Sequence, residues 1–143
     1  MDVKIARAGE APAAAARRTV FVDGHVHLYP EVRLDAALAA LARHSGPAAS
    51  GGAAPPTEAA AVLADPRGID GFGRLLRAAD SAELPAGWSV QDTGDRHVEL
   101  RHADSGRGVL FIRGRQLVTK EGLEVLAAAV NGDVPDGAAL GCT

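Results

Sequence analysis

Three side chains that can bind a metal ion lie close together on an apolar stretch. Residues 20–30 read Val-Phe-Val-Asp-Gly-His-Val-His-Leu-Tyr-Pro, so Asp23, His25 and His27 alternate with glycine or valine. The β-branched and aromatic residues predict a buried strand, which Pro30 ends because it has no amide hydrogen. Side chains two residues apart on a strand point to the same face, with Cα atoms about 6.6 Å apart. The spacing therefore predicts that the three side chains converge.

This convergence favours a metal site over two separate core histidines. A single buried histidine usually forms hydrogen bonds within a core, whereas two on one apolar face would both lose hydration without compensation. Imidazole nitrogens and carboxylate oxygens suit Zn, Mn or Fe. We therefore expect His25 and His27 to bind a divalent metal ion. Asp23 is expected to orient an imidazole or to act as a base.

The composition excludes several classes of protein. The chain has 143 residues and a formal net charge of −3, so no strong field favours nucleic acid or a membrane surface. Aromatic residues make up 3% of the chain, too few for the stacking platforms of single-strand binders. The single cysteine, Cys142, excludes an internal disulfide framework and predicts a cytoplasmic location. From its charge and its aromatic content we expect no nucleic-acid partner. We also expect no membrane partner, because no apolar stretch is long enough to span a bilayer.

Strands and helices alternate in the first half of the sequence. Apolar residues at i, i+3, i+4 and i+7 predict helices over residues 31–44 and 69–82. Between them the apolar run 58–64 fits either a buried strand or a short helix. The Asp65-Pro66 pair that follows favours a strand that stops at a functional loop. The order strand, helix, strand, helix predicts an α/β fold with a mainly parallel sheet.

The second half changes to short strands. Apolar runs separated by turn signals predict an antiparallel meander over residues 87–113, whereas residues 123–130 fit either a strand or a helix. Residues 1–18 and 47–57 lack periodicity and contain many small residues, which predicts a flexible amino-terminal tail and a flexible loop. We therefore expect a single α/β domain over residues 19–143.

The possible site residues lie in three segments that follow one another along the chain, namely residues 23–27, 63–72 and 114–122. Together they resemble the three motifs of the PHP domain, a metal-dependent phosphoesterase module related to bacterial polymerase and histidinol-phosphatase proteins. Residues 63–72 resemble the second motif, a threonine-aspartate-histidine loop that precedes the start of a helix. Residues 114–122 resemble the third motif, in which a glycine and a glutamate precede a threonine and a turn. The His-x-His strand is also similar to that of the amidohydrolase superfamily.

The resemblance implies a barrel of alternating strands and helices. Such a barrel typically needs about 250 residues, more than this chain contains. We therefore expect a partial (β/α) barrel-like sheet, with the 87–113 meander as an insert. The chain would correspond to the first part of such a domain.

The resemblance also implies a set of metal ligands. The ligands that match the family pattern are His25, His27 and Asp65. Pro66 stands where the family has a metal-binding histidine, and Gln116 stands where it has a bridging glutamate. Proline has no donor atom, and a neutral amide oxygen cannot bridge two cations as a carboxylate can. Glu121 and Glu124 are the nearby carboxylates, and Glu124 is the predicted substitute ligand.

Three functions remain open at this point. The first is a metal-dependent hydrolase of the PHP or amidohydrolase type, weakly active or inactive alone, with a small anionic substrate neutralised by Arg67 or Arg115. The second is a non-catalytic remnant that forms a homo-oligomer or associates with a completing partner through exposed sheet edges. The third is a small α+β binding module that works through the meander.

Overall fold

The residues that the structure describes form one sheet and two helices. The computed structural model describes residues 20–44, 58–81, 83–130 and 137, so the predicted tail 1–18 and loop 47–57 lie outside the described residues. The elements in chain order are β1 (Val20–Val26), α1 (Leu34–His44), β2 (Glu58–Asp65), α2 (Gly71–Asp80), β3 (Trp88–Gly94), β4 (His97–His102), β5 (Gly108–Val118) and β6 (Glu124–Ala128).

The strands form a mixed sheet that is centred on β5. β1, β2 and β5 are adjacent and parallel, and β4 and β3 continue the sheet beyond β5 in antiparallel orientation. β5 is 11 residues long, and it pairs with β4 through its first half and with β6 through its second half. Within the described residues the sheet is open, with β1 at one edge and β3 at the other.

The expected partial (β/α) barrel-like sheet with an inserted meander is wrong. The described strands form two parallel pairs, β1–β2 and β2–β5, and three antiparallel pairs, β3–β4, β4–β5 and β5–β6, and their sheet does not close. The predicted α/β fold with a mainly parallel sheet is therefore wrong as well. The meander is not an insert, because its last strand, β5, is the strand that pairs with β2. A strand buried between two neighbours has the same apolar run whichever way they point, so periodicity could not distinguish the two arrangements.

The two segments that fitted either element are both strands. Residues 59–64 of β2 are all buried, and four of the six are alanine. Alanine favours helices, but pairing with β1 on one side and β5 on the other overrides this weak preference. Residues 124–128 form β6, which completes the second half of β5.

Both helices pack on the same face of the sheet, which we call the helix face. One core cluster contains Leu38 of α1, Phe72 and Leu75 of α2 and alternate residues of the strands, namely Ala59, Ala61, Leu63, Val98, Leu100, Val109 and Phe111. Alternation then defines an opposite face, to which the even-numbered residues of β2 and β5 belong. Neither helix of the described residues is long and apolar enough to cross a membrane.

Candidate metal centre

A bulge in β1 separates Asp23 from the two histidines. Asp23 pairs with Ala61 and Val26 pairs with Leu63, so three steps along β1 match two steps along β2. The extra residue reverses the alternation of side chains. Asp23 therefore belongs to the helix face, whereas the residues that flank Val26 belong to the opposite face.

Asp23 contacts the backbone of His25 instead of its ring. The Asp23 carboxylate accepts a hydrogen bond from the backbone N–H of His25, with 3.1 Å between Oδ1 and N. An aspartate that binds the amide two residues further on forms an Asx turn. This contact fixes the backbone from which the His25 imidazole projects.

His25, His27 and Gln116 bring three donor atoms together. The Nε2 atom of His25 lies 3.0 Å from Nε2 of His27 and 3.2 Å from Oε1 of Gln116. Ligand atoms that share one divalent ion at about 2.0–2.2 Å are separated by roughly 2.8–3.6 Å, as the angle at the ion increases from about 90° to about 109°. Both distances fit a shared ion. Without an ion, the single Nε2 position of His25 must serve two neighbours, because an imidazole nitrogen either carries one proton or offers one lone pair.

The three donors meet across strand β2. Neighbouring strands are about 4.8 Å apart, so His25 of β1 and Gln116 of β5 belong to strands roughly 9.6 Å apart. Ala64 of β2 pairs with Gly114 of β5 and belongs to the same face as Gln116. These two residues are small, and their size leaves room for a long amide side chain and an imidazole to meet above β2.

Ring contacts hold the His27 imidazole. Its centroid is 4.8 Å from that of His25 and 5.3 Å from that of Tyr29. The Nδ1 atom of His27 is buried and forms no hydrogen bond within the described residues. Metal-binding histidines usually donate a hydrogen bond from the second ring nitrogen. The orientation of His27 therefore depends on packing against His25 and Tyr29.

Asp65 lies apart from the histidines. It ends β2 on the helix face, its exposed fraction is 3%, and its Oδ2 accepts a hydrogen bond from the Phe72 N–H at 3.0 Å. Burial raises the pKa of Asp65, while the Phe72 and Gly71 amides and the charge of Arg115 oppose this rise. Its Oδ1 has no hydrogen bond of ordinary geometry within the described residues. Asp65 thus anchors the first turn of α2.

A cavity lies beside Asp65. Its volume is about 340 Å³, and its lining includes Asp70, Arg113 and Arg115. Arg115, which the sequence suggested for substrate neutralisation, therefore lies beside Asp65, whereas Arg67 is exposed on the loop before α2. Neither His25 nor His27 is among the described residues that line this cavity.

Glu124 belongs to the same face as Gln116. Leu126 of β6 pairs with Gln116 and Glu124 pairs with Val118, so Gln116 and Glu124 are diagonal neighbours with Cα atoms about 7–8 Å apart. Glu124 is exposed. Within the described ranges no three His, Cys, Asp or Glu side chains are grouped so that they could hold a metal ion. The predicted carboxylate ligands therefore do not complete the histidine pair in this structure.

Gln116 is the potential ligand that sequence reasoning missed. The third motif marks its position, but only as a departure from a family pattern. A stronger signal is its place near the carboxyl end of a strand parallel to β1. That signal requires the order of the strands, which places β1 and β5 on either side of β2.

Comparisons with known proteins add no family assignment. No protein-family model matches this chain, and no curated protein or solved structure shows detectable similarity to it. The resemblance to the PHP motifs therefore stays a prediction, and the geometry around His25 is the basis for a functional proposal.

Proposed function

We propose that this chain is a metal-dependent hydrolase domain of the PHP or amidohydrolase type, which binds one divalent ion through His25, His27 and Gln116. The observation that supports the proposal is the 3.0 Å and 3.2 Å approach of two further donor atoms to Nε2 of His25. Two imidazole nitrogens and one oxygen suit Zn, Mn or Fe. The cluster lies toward the carboxyl ends of β1 and β5, which both run parallel to β2.

The donor set suits one ion and an anionic substrate. A divalent ion, when bound, supplies Lewis acidity that polarises a phosphoryl or carbonyl oxygen and acidifies water. The three proposed ligands are neutral, so they leave the positive charge of the site uncompensated, which favours a small anionic substrate. A neutral Gln116 does not provide the bridge that two cations need. Asp23 contributes by fixing the backbone of His25.

Metal analysis of the purified protein tests this proposal. We expect the wild-type chain to retain Zn, Mn or Fe after dialysis and the His25→Ala/His27→Ala variant to lose it, because two of three ligands are removed. Hydrolysis of p-nitrophenyl phosphate should follow the metal content.

The matched control is a His97→Ala/His102→Ala variant. It removes the same number of imidazoles from β4, where His97 pairs with Asp92 and His102 packs against Trp88. This variant should keep its metal. Equal metal content in the wild type and in both double variants would contradict the proposed site.

The alternative proposal is a non-catalytic module that forms a homo-oligomer. It is supported by three large apolar side chains of β1 that are 47–60% exposed, namely Val20, Phe21 and Val22. Among the described residues no strand pairs with the outer side of β1. Such an edge is a template for pairing with another chain. For either function, the single cysteine supports a proposed cytoplasmic location.

A further inference from the structure

We infer that the cavity beside Asp65 is a second binding site, which takes a small zwitterionic α-amino acid between Asp65 on one side and Arg113 and Arg115 on the other. These three residues belong to the helix face of the sheet, whereas the proposed metal ligands meet on the opposite face. The cavity therefore does not depend on the proposed hydrolase function.

Charged side chains dominate the lining of this cavity. Four of its five lining residues are charged, namely Asp65, Asp70, Arg113 and Arg115, and Ile69 is the fifth. Arg115 of β5 pairs with Asp65 at the end of β2, and Arg113 lies two residues earlier on the same face. Asp70 caps the start of α2. Two carboxylates and two guanidinium groups thus leave the lining without net charge.

Asp65 and Arg115 do not join in an ion pair, although they are cross-strand neighbours. Within the described part of the chain, Oδ1 of Asp65 and Nε of Arg115 are both buried and have no hydrogen-bond partner. The other carboxylate oxygen of Asp65 is tied to α2, because it accepts the Phe72 N–H at 3.0 Å. The Arg113 guanidinium carbon lies 5.8 Å from the centroid of the Phe72 ring. Contacts with α2 therefore hold an acid and a base on two sides of one cavity.

The two unpartnered atoms predict a polar occupant. Buried polar atoms are normally hydrogen-bonded, because they lose hydration on burial. One water molecule can bridge a donor and an acceptor, but its share of liquid volume is about 30 Å³, whereas the cavity volume is about 340 Å³. That volume lies at the lower end of the range of roughly 300–1,000 Å³ for small-molecule sites. The cavity therefore has room for a small organic molecule.

The charges favour a zwitterion over an ion of either sign. An anion beside the guanidinium groups also meets two carboxylates, and a cation beside the carboxylates also meets two guanidinium groups. Burial is the main cause of the raised pKa of Asp65, and the negative charge of Asp70 raises it further. An ammonium group relieves this repulsion and donates to Oδ1 of Asp65.

An α-amino acid has the required groups on one carbon atom. Its carboxylate matches the fork of N–H donors that a guanidinium group presents, and the buried Nε of Arg115 is one of these donors. Its ammonium group supplies the donor that Asp65 lacks. Both buried atoms are then satisfied by one molecule without net charge.

The test is titration of the full chain with L-alanine by calorimetry, after dialysis against a chelator so that the amino acid cannot bind a metal ion instead. Propionate is alanine without its ammonium group, and ethylamine is alanine without its carboxylate. Each should bind at least about tenfold more weakly than alanine, because a hydrogen bond to a charged group contributes about a factor of ten or more. Propionate or ethylamine that binds as tightly as alanine would overturn the inference.

Arg115→Met should weaken alanine binding at least about tenfold, because it removes the guanidinium group and keeps the length of the side chain. Arg67→Met is the matched control. Arg67 is exposed on the loop before α2, outside the cavity lining, and the change of charge is identical. This control should bind alanine as the wild type does. Equal affinity of Arg115→Met and the wild type, or no binding of alanine to the wild type at millimolar concentration, would overturn the inference.

Asp65→Asn separates a lost contact from a lost fold. The amide removes the negative charge beside the ammonium group but keeps an oxygen for the Phe72 N–H. Affinity for alanine should therefore fall, whereas affinity for propionate should rise because a like charge has gone. A misfolded chain would lose both ligands. Loss of both from a variant that keeps the wild-type unfolding transition would overturn the inference.

Discussion

At the residue scale, Gln116 is the proposed ligand that most affects the character of the site. Its amide oxygen is neutral, and it reaches His25 from a position 91 residues away in the sequence. The choice of amide or carboxylate at this position sets the charge of the site. It also decides whether one or two cations can be held.

Two substitutions of Gln116 should change zinc affinity in opposite directions. Gln116→Glu keeps the shape and adds a negative charge, so we expect zinc to bind at least about tenfold more tightly. Gln116→Leu removes the donor and should weaken zinc binding by a similar factor. Competition with a coloured chelator measures both changes.

The same two substitutions at Gln91 provide the control. Gln91 is an exposed residue of β3 whose amide donates a hydrogen bond to Ser89. Neither change there should alter zinc affinity. Identical affinities for Gln116→Glu, Gln116→Leu and the wild type would exclude Gln116 as a ligand.

We expect the free energy of unfolding to depend on pH through the buried carboxyl group of Asp65. Its pKa in the folded chain is raised above the ordinary value of 3.8, chiefly by burial, so the folded chain holds this proton more tightly than the unfolded chain. The stabilising contribution is therefore present below the ordinary pKa. It is lost as the pH rises through the raised pKa.

Asp65→Asn should remove this pH dependence. The amide retains an oxygen that can accept the Phe72 N–H bond but cannot ionise, so its stability relative to the wild type should improve as the pH rises from about 3.5 to about 7. Urea unfolding at several pH values measures this difference. Asp65→Ala, which lacks the acceptor, should be less stable than Asp65→Asn throughout by about 1–2 kcal/mol. A difference between Asp65→Asn and the wild type that stays constant with pH would refute the prediction.

The proximity of His25 and His27 could be predicted from their spacing, but the position of Asp23 could not. Strict alternation places all three side chains on one face. The bulge between Asp23 and Val26 adds one residue to β1, and this moves Asp23 to the helix face. A bulge changes the count of residues without changing their apolar character, so the sequence pattern does not show it.

At the element scale, the close approach of β2 and β5 depends on Gly114. A Cβ atom at this position would lie 2.8 Å from Cγ1 of Val62, 2.9 Å from the backbone oxygen of Leu63 and 3.2 Å from that of Ala127. Two of these three atoms belong to backbone that is already paired in the sheet. They cannot move without disturbing the strand pairing.

Gly114→Ala should therefore destabilise the chain. We expect the free energy of unfolding to fall by about 1–3 kcal/mol, as for other insertions into a packed interior. Gly24→Ala is the control, because a Cβ atom at Gly24 would meet nothing within 4 Å. Its effect should stay within about 0.5 kcal/mol. Chemical denaturation measures the free energy of unfolding of both variants. Equal stability of the two would show that β2 and β5 can move apart without destabilising the chain.

The alternation of strands and helices was accessible from local patterns, whereas the order of the strands was not. The predicted helices 31–44 and 69–82 correspond to α1 at 34–44 and α2 at 71–80. The central place of β5 depends on pairing with β2, which precedes it by some fifty positions, as in the pair Ala59 and Val109. Such pairing is a tertiary property that neither apolar periodicity nor turn signals encode.

At the scale of the whole molecule, the open edge of the sheet determines how copies can associate. β1 is exposed at Val20, Phe21 and Val22, and no strand of the described residues covers its outer side. A closed barrel would have removed this edge. The open sheet of the described residues therefore leaves the outer side of β1 available to another chain.

A charge on β1 should reduce self-association. Val22 is 60% exposed, so Val22→Lys should leave the fold intact and shift the chain toward the monomer. Val118→Lys introduces the same charge at a residue that is 46% exposed on β5, away from β1, and should leave the mass unchanged. Light scattering over a range of concentrations measures the masses. A shift with Val118→Lys alone would assign the interface to the other side of the sheet.

The proposed metal site spans β2, because its donors belong to β1 and β5 on either side of that strand. This arrangement determines the order in which the strands assemble and the ion binds. Gln116 reaches His25 only over Ala64, so β2 must already lie between β1 and β5 before the three donors can meet. Contacts between residues so distant in the sequence form late, because loop closure has to come first. An ion that needs all three donors can therefore bind only to the assembled sheet. Such an ion slows unfolding and does not guide the chain toward its fold.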